Sequence, residues 1–162
     1  MRVALAADHA GAPLKAELLE RLRAELPANA WIDLGGDGSD RNDDYPDYAR
    51  VLGRTIRTGA ADRGILVCGS GVGASVAASK MRGIRAAVCH DAYSARQGVE
   101  HDDLNVLCLG ARVIGPELAL ACARAFLGAE FSGVERHRRR LAKVAAIERD
   151  EAGEAADAGS AP

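Results

Sequence analysis

The sequence lacks long apolar runs, a strong excess of charge and paired cysteine motifs. No apolar stretch approaches the roughly 20 residues that cross a bilayer, so neither a membrane span nor a membrane partner is expected. The formal net charge is −2 at pH 7, which gives no overall field that would attract nucleic acid. Any binding of anions must therefore depend on local clusters of charge.

The four cysteines form no CxxC pair and no spacing typical of a metal site: Cys68, Cys89, Cys108 and Cys122. Three of them lie in apolar stretches, as buried free thiols usually do. Free thiols are typical of a reducing compartment. The first two residues lead directly into a short apolar strand rather than into a signal peptide. We therefore expect a cytoplasmic protein without a structural metal.

Apolar runs of strand length alternate with longer segments of helical period. Strands are predicted at 3–7, 31–34, 64–67, 85–89 and 106–109, and helices at 12–26, 48–58, 74–80, 92–99, 117–127 and 135–149. This alternation predicts an α/β fold, a single doubly wound, Rossmann-like three-layer domain with a five-stranded, mostly parallel sheet and a C-terminal helix. The domain is expected to cover 1–150, and a disordered tail without large apolar residues is expected at 151–162.

In such a sheet the loops after the strands meet at one edge, where ligands bind. The chemically distinctive residues flank the predicted strands: Asp8 and His9 after the first, Cys68 after the third, His90 and Asp91 after the fourth, His101 and Asp102 before the last, and Arg112 after it. We expect them to lie together at that edge. Asp91 has an alternative role as the N-cap of the helix predicted from Ala92.

The most informative segment is the loop CGSGVG at 68–73. Its glycines let the backbone turn tightly and direct several N–H groups to one point, where the positive end of the next helix also favours an anion. That anion is either a substrate phosphate or an oxyanion that forms during reaction. The helix N-terminus also favours the thiolate of Cys68, the form that acts as a base or nucleophile. The alternative is a buried cysteine beside a loop that serves only packing.

The same loop permits a second functional interpretation. Residues 69–74 fit the dinucleotide-binding pattern GxGxxG/A, and Asp91 follows about 20 residues later, after another strand. A dinucleotide-binding module, however, gives no role to Cys68, His9, His101 or the arginine cluster at 136–140. We keep it as the alternative from another functional class.

Arginine and histidine residues supply further candidates. Arg136 and Arg140 share one face of a predicted helix and can hold a phosphate by charge-assisted hydrogen bonds, although a solvated basic helix is the alternative. Nucleic acid is disfavoured because no aromatic residues are interleaved. His101 lies in a polar stretch and can transfer a proton near neutral pH. A metal site made by Asp8, His9 and His101 stays open, although the spacing does not demand one.

Eight segments of the chain resemble those of the type B ribose-5-phosphate isomerases. They are AADHAG at 6–11, DYP at 44–46, CGSGVG at 68–73, GIRAA at 83–87, YSA at 93–95, NVL at 105–107, GARVIG at 110–115 and RHRRR at 136–140. The resemblance implies an aldose–ketose isomerase of the pentose phosphate pathway that interconverts D-ribose 5-phosphate and D-ribulose 5-phosphate without a metal or organic cofactor. It also implies a homodimer, or a dimer of dimers, with active sites at the interface.

The resemblance also implies a role for each matching residue. Cys68 is the base that moves a proton between C1 and C2, and His101 is the acid that helps to open the furanose ring. The enediolate oxygens are held by the Ser70 hydroxyl and by the amides of Gly69, Gly71, Val72 and Gly73. The other substrate contacts are Asp8, His9, Asp102, Arg112, Arg136 and Arg140, of which His9 and the three arginines surround the phosphate.

Two positions depart from patterns in the family. Some members use a glutamate just after the glycine loop, but this chain has Ala74 there, so Cys68 is the sole candidate base in the loop. Asp102 stands where relatives commonly carry Asn, and an ionised Asp accepts hydrogen bonds but cannot donate them. The alternative substrates are therefore four-carbon erythrose or erythrulose phosphates and six-carbon allose or galactose 6-phosphate.

Overall fold

Strands and helices alternate along the chain, and every element expected from the sequence is present. The computed structural model describes the backbone of residues 1–158 and the side chains of residues 1–151. The elements are β1 (Arg2–Ala7), α1 (Ala12–Glu25), β2 (Ala30–Asp33), α2 (Tyr45–Arg57), β3 (Arg63–Cys68), α3 (Val72–Ala78), β4 (Ala86–Val88), α4 (Ala92–Asp102), β5 (Val106–Gly110), α5 (Pro116–Gly128) and α6 (Glu135–Ala158). None of the described helices is long and apolar enough to cross a membrane.

The five strands form one sheet in the order β2-β1-β3-β5-β4, and all four pairings are parallel. Ala7 is paired with Val67, and Cys68 is paired with Gly110, so β1, β3 and β5 end at nearly the same level. Parallel strands need crossover connections, which the helices on the two faces provide. The predicted α/β architecture is confirmed.

The hydrophobic core has two halves, one on each side of the sheet. Val3 and Leu5 of β1 pack with buried residues of α1, α4 and α5, whereas Ala4 and Ala6 pack with those of α2 and α3. This division follows from the alternation of side chains along a strand. Phe126 of α5 is completely buried in the first half. Each buried Leu or Phe side chain contributes about 1.5–3 kcal/mol, so both helical layers are firmly attached to the sheet.

The ends of two helices differ from the sequence prediction in ways that affect the site. Helix α2 begins at Tyr45, earlier than predicted, because Pro46 suits the first turn of a helix. Helix α4 continues to Asp102, and Asp103 ends it in the left-handed conformation with φ of 50°. His101 therefore lies in the last turn of a helix.

The C-terminal helix is also longer than predicted. Helix α6 continues beyond Arg149 to Ala158, into the segment for which a disordered tail was expected. Alanine and glutamate, which are frequent there, have high helix propensity. Residues 159–162 of that tail lie outside the described residues, and the domain boundaries stay predictions.

The turn after β1 fits tightly against the end of β3. The Asp8 N–H donates to the carbonyl oxygen of Val67 (3.3 Å), and the Asp8 carboxylate accepts the N–H of Gly11 (2.9 Å). A Cβ added at Gly11 would lie 2.3 Å from the same Val67 oxygen and 3.0 Å from the Cys68 nitrogen. Only glycine permits this approach, which places Asp8 beside Cys68.

Replacing Gly11 by alanine should therefore displace the turn. We expect Gly11→Ala to lower the free energy of unfolding in urea by about 1–3 kcal/mol, the usual cost of overpacking. Gly128→Ala is the matched control, because its added Cβ meets nothing within 4 Å and its φ is not positive. Similar losses in the two variants would contradict the proposed contact.

Candidate active site

A pocket of about 280 Å³ lies at the carboxyl edge of the sheet, next to the end of β3. Its lining residues are Asp8, Tyr45, Cys68, Gly69, Ser70, Gly73, Arg112 and Val113. The N–H groups of Ala111 and Arg112 donate to the carbonyl oxygens of Cys68 (2.9 Å) and Gly69 (3.0 Å), which ties the loop after β5 to the loop after β3. The pocket is slightly smaller than the roughly 300–1,000 Å³ typical of small-molecule sites.

Cys68 is the thiol that borders this pocket. Its side chain accepts the N–H of Gly71 at Sγ (3.1 Å), and the residue is only 4% exposed. The glycine loop thus directs a backbone donor at the sulfur. Cys68 lies at the end of β3, where the sequence analysis located it, and its role as a base stays a prediction.

The other three cysteines differ from Cys68 in their environment. Burial raises the pKa of Cys89 to about 11, and burial also raises the pKa values of Cys108 and Cys122. These side chains therefore stay protonated near neutral pH. All four cysteines are free thiols.

The glycine loop has a conformation that its sequence requires. Gly71 has φ of +82°, a left-handed conformation that glycine adopts without strain. A Cβ at Gly73 would lie 2.7 Å from the ring of Tyr45, so the first turn of α2 packs directly over the loop. The Ser70 hydroxyl oxygen accepts the N–H of Val72 (3.3 Å). Tyr45 was not identified as a site residue from the sequence, because the predicted helix began later.

Arg112 extends along the same loop from the end of β5. A Cβ added at Gly69 would lie 3.5 Å from Nη1 of Arg112, so the guanidinium packs close to the glycine backbone. Arg112 lines the pocket and is exposed to solvent. The structure thus brings together a thiol, backbone donors and a positive charge, as the sequence predicted for these residues.

His9 is held in place by Asp43, a residue that the sequence analysis missed. Oδ1 of Asp43 lies 2.6 Å from Nδ1 of His9 and accepts the His9 backbone N–H (3.0 Å). Burial acts to raise the pKa of the Asp43 carboxyl, but hydrogen bonds from His9 and Tyr48 hold that pKa below its usual range. Burial and the adjacent carboxylate raise the pKa of Tyr48 to about 12. Because the carboxylate accepts the Nδ1 proton, Nε2 is the ring nitrogen left for a ligand.

Asp43 had no distinguishing signal in the sequence. It belongs to a loop rich in aspartate, in which Asp37 and Asp40 instead form local turns by accepting the N–H groups of Ser39 and Asn42. Only the folded position of the loop shows which carboxylate reaches His9. The DYP motif at 44–46 contributed to the family resemblance, but that resemblance gave no role to Asp43, the residue before the motif.

His90 and Asp91 have structural roles at the end of β4. Nε2 of His90 accepts the N–H of Gly110 (3.0 Å), and the Asp91 carboxylate caps α4 by accepting the N–H of Ser94 (2.7 Å). Strand β5 also separates β4 from the glycine loop after β3. In a dinucleotide site, the acidic residue and the glycine loop follow adjacent strands. The dinucleotide interpretation is therefore not supported.

The remaining predicted residues lie at the opposite edge of the sheet. Helix α4 leaves the carboxyl edge after β4 and reaches the amino edge before β5, with His101 and Asp102 in its last turn. The ring centroids of His101 and His137 are 4.0 Å apart, which shows that the first turn of α6 lies beside the last turn of α4. Arg136 and Arg140 belong to this part of α6 and are exposed.

The expectation that all candidate residues share one edge was therefore wrong. Within one chain, His101, Asp102, Arg136 and Arg140 do not meet Cys68, because a helix that connects two parallel strands ends at the edge where strands begin. The same separation means that Asp8 and His9 do not form the considered metal site with His101 of the same chain. In the described part of the chain, no group of three or more His, Cys, Asp or Glu residues could hold a metal ion.

A thiol at the carboxyl edge of a doubly wound sheet, next to backbone donors and a guanidinium, suits proton transfer on an anionic substrate. Residues 3–144 match the model of the Ribose/Galactose Isomerase family. The chain belongs to that family.

Individual relatives support the assignment. The chain is 44% identical to ribose-5-phosphate isomerase B of Escherichia coli, over 91% of this chain and 96% of that protein. It is 42% identical to a D-erythrulose-4-phosphate isomerase of Pectobacterium atrosepticum, over 82% and 86% of the two chains.

Solved structures agree with these relatives. Ribose-5-phosphate isomerase B of Clostridium thermocellum superposes with a TM-score of 0.87 at 41% identity, over 93% of this chain and 99% of that chain. The enzyme from Mycoplasma genitalium with bound ribulose 5-phosphate gives a TM-score of 0.85 at 36% identity, over 91% and 96%.

Asp43 is expected to act through His9. Asp43→Asn replaces an acceptor with an amide that can donate to Nδ1, so the ring would expose the opposite tautomer to the ligand. We expect isomerase kcat/KM to fall about 10-fold or more, as is usual when the partner of a site histidine is lost. Asp40→Asn, in the same loop, is the control.

A double-mutant cycle tests this route of action. In a His9→Gln background, Asp43→Asn should cause little further loss, because the group that it orients is already absent. Independent, additive losses would show that Asp43 does not work through His9.

Proposed function

We propose that this protein interconverts D-ribose 5-phosphate and D-ribulose 5-phosphate through an enediolate, as a step of the pentose phosphate pathway. The observation that carries the proposal is Cys68, whose sulfur accepts the Gly71 N–H in a pocket bordered by Asp8 and Arg112. The printed activities of the relatives support this substrate pair, and the ribulose 5-phosphate complex supports the ligand class.

The chemistry follows from the loop. The Cys68 thiolate takes the proton from C2 of the open-chain aldose and returns it to C1. The hydroxyl proton moves from O2 to O1 in the same conversion, so the carbonyl passes from C1 to C2. Negative charge then develops on the substrate oxygens, where the Ser70 hydroxyl and the N–H groups of Gly69 and Gly73 donate. The N–H groups of Gly71 and Val72, which bond Cys68 Sγ and Ser70 Oγ in this structure, donate to the substrate when its oxygens replace those acceptors. Each fixed donor of this kind lowers a barrier by roughly 3–4 kcal/mol. In this assignment Asp8 contacts the sugar, while His9 and Arg112 contact the phosphate.

The two edges of the sheet carry complementary halves of this site. The carboxyl edge holds the base and the donors, and the amino edge holds a histidine acid and two arginines. The Gln97 amide donates to Nδ1 of His101 (3.0 Å), which leaves Nε2 as the nitrogen that carries a proton toward the furanose ring. We assign ring opening to His101, and phosphate binding to Arg136 and Arg140, in the pocket of a second copy of the chain.

Exposed apolar side chains support such a homodimer. Val72 (56% exposed), Val76 (55%) and Val113 (56%) lie on or near the glycine loop, and Val144 (52%) and Ile147 (63%) lie on α6. A groove of about 1270 Å³ also opens between α6 and the edge strand β4. An interface related by two-fold symmetry would bury these apolar residues in both copies of the chain and would complete two active sites. A dimer of dimers would retain the same pairing.

A cytoplasmic location belongs to the same proposal. Four free cysteines in one small domain suit a reducing compartment, where no oxidant would pair them. The proposed base also requires such a compartment, because only a reduced Cys68 can carry a proton.

Mixed subunits test the shared site directly. Cys68→Ala and His101→Asn should each abolish or severely reduce turnover of ribose 5-phosphate. When the two variants are co-expressed, or unfolded and refolded together, about a quarter of wild-type activity should return. Random association makes half of the dimers heterodimers, and one of the two sites in each heterodimer contains both Cys68 and His101.

The outcomes separate the two parts of the proposal. A mixture that stays inactive, although heterodimers are detected by a tag on one subunit, would show that both residues act within one chain. Near-normal activity of Cys68→Ala alone would remove the assigned base. His101→Asn should impair the cyclic substrate more than an open-chain analogue, and equal losses on both would remove its role in ring opening.

Because Asp102 stands where relatives commonly carry Asn, the preferred sugar phosphate is the part of the proposal to test. We expect ribose 5-phosphate to have the highest kcat/KM in a panel of four-, five- and six-carbon sugar phosphates. Asp102→Asn restores a hydrogen-bond donor, so it should change the ratios between sugars rather than all values equally. Higher kcat/KM for erythrose 4-phosphate or allose 6-phosphate would replace the substrate and leave the reaction type in place.

A further inference from the structure

His137 is a buried histidine to which neither the motifs nor the proposed reaction gives a role. It lies at the start of α6, between the two exposed arginines, and is only 2% exposed. Its ring centroid is 4.0 Å from that of His101, with an angle of 34° between the two planes. A histidine in this position is either a packing residue or a support for its functional neighbours.

The hydrogen bonds of His137 fix its protonation state. Nε–H of Arg136 donates to Nε2 of His137 (3.0 Å), and an arginine can only donate. Nε2 must therefore carry a lone pair, and the proton lies on Nδ1, which donates to Oγ of Ser132 (2.7 Å). The ring is a neutral imidazole. Burial, together with the nearby His101, Arg136 and Arg140, also lowers the pKa of His137.

The bond to Nε determines which atoms Arg136 presents. With Nε occupied, the two Nη groups form the free end of the guanidinium, and among the described residues they have no hydrogen-bond partner. Two parallel N–H groups on a fixed plane match two oxygens of a phosphate. An arginine that is already oriented loses less conformational entropy when it binds the anion.

The contact with His101 is of a different kind. The ring of His137 supports one face of the His101 ring, while Gln97 holds its Nδ1 edge. Because His137 is neutral, no repulsion between charges opposes this contact with His101. One buried ring thus contacts both groups that this edge of the sheet contributes to the proposed reaction.

We propose that His137 is a positioning residue that orients the Arg136 guanidinium for the substrate phosphate and supports the His101 ring for proton transfer. This inference rests on the proposed function, since it assumes that Arg136 binds the phosphate. The two contacts use different parts of the ring, so substitutions can separate them. The hydrogen bond should affect KM, and the stacked ring should affect kcat.

Two substitutions provide that separation. His137→Phe keeps a ring beneath His101 but cannot accept from Arg136. We expect KM for ribose 5-phosphate and Ki for inorganic phosphate each to rise roughly 10-fold, with kcat within about 2-fold. His137→Gln keeps an acceptor for Arg136 but loses the ring, so KM should stay within about 3-fold while kcat falls.

Control variants distinguish a failure of the positioning role of His137 from a failure of the proposed function. Arg136→Ala should raise KM at least as much as His137→Phe, and the two changes together should add little. Arg138→Ala, an exposed arginine on the same turn, should change neither constant. If a substitution at His137 prevents folding, Ser132→Ala gives a second test, because it removes the acceptor of the His137 Nδ1 proton at an exposed position. We expect it to raise KM, but by less than His137→Phe does.

Each result decides between the alternatives. Equal effects of phenylalanine and glutamine at position 137 on both constants would make His137 a packing residue only. A rise in KM for Arg136→Ala but none for His137→Phe would overturn the positioning role and leave the phosphate assignment intact. If Arg136→Ala leaves KM unchanged, the phosphate assignment and the inference both fail.

Discussion

The common direction of the five strands is the constraint on which the rest of the structure depends. Each connecting helix must run back, so residues that follow strands collect at one edge and residues that end helices collect at the other. Cys68 is the last residue of β3, whereas His101 lies in the last turn of α4. A five-residue strand such as β5 spans about 16 Å, so no small shift of a side chain can join the two groups in one chain. A second copy is the simplest way to bring them together.

Both edges follow the same principle of construction, in which a less exposed partner holds a more exposed residue of the candidate site. At the carboxyl edge, the side chain of Asp43 is 9% exposed and holds His9, which is 28% exposed. At the amino edge, the buried His137 holds the exposed Arg136. A buried polar group is stable only when it is fully bonded, and its bonds then leave it little freedom. The rigidity that a site needs thus comes from residues that do not touch the ligand.

The sequence was most informative where structure is local. A strand, a glycine loop and a helix follow one another around Cys68, so the position of the base followed from residues within one motif. His101 was expected at the carboxyl edge although it precedes β5, and a residue that precedes a strand lies at the edge where the parallel strands begin. Asp43 could not be selected from an aspartate-rich loop, because its role depends on a contact with His9 across 34 positions of sequence. The tautomer of His137 likewise depends on Arg136 and Ser132 in their folded positions.

In the proposed dimer, a site divided between two copies would separate the reaction from the choice of sugar. The base and the donors belong to one chain and are fixed by backbone geometry around β3 and β5. Asp102 belongs to the helix end that the partner would supply, where an exposed side chain can change without altering the thiol or its amides. Burial of the exposed valines would provide the free energy that joins the two halves, so substrate binding would not have to assemble the site. In that arrangement, selection on Asp102 would alter the preferred sugar phosphate while the proton transfer proposed for Cys68 would stay the same.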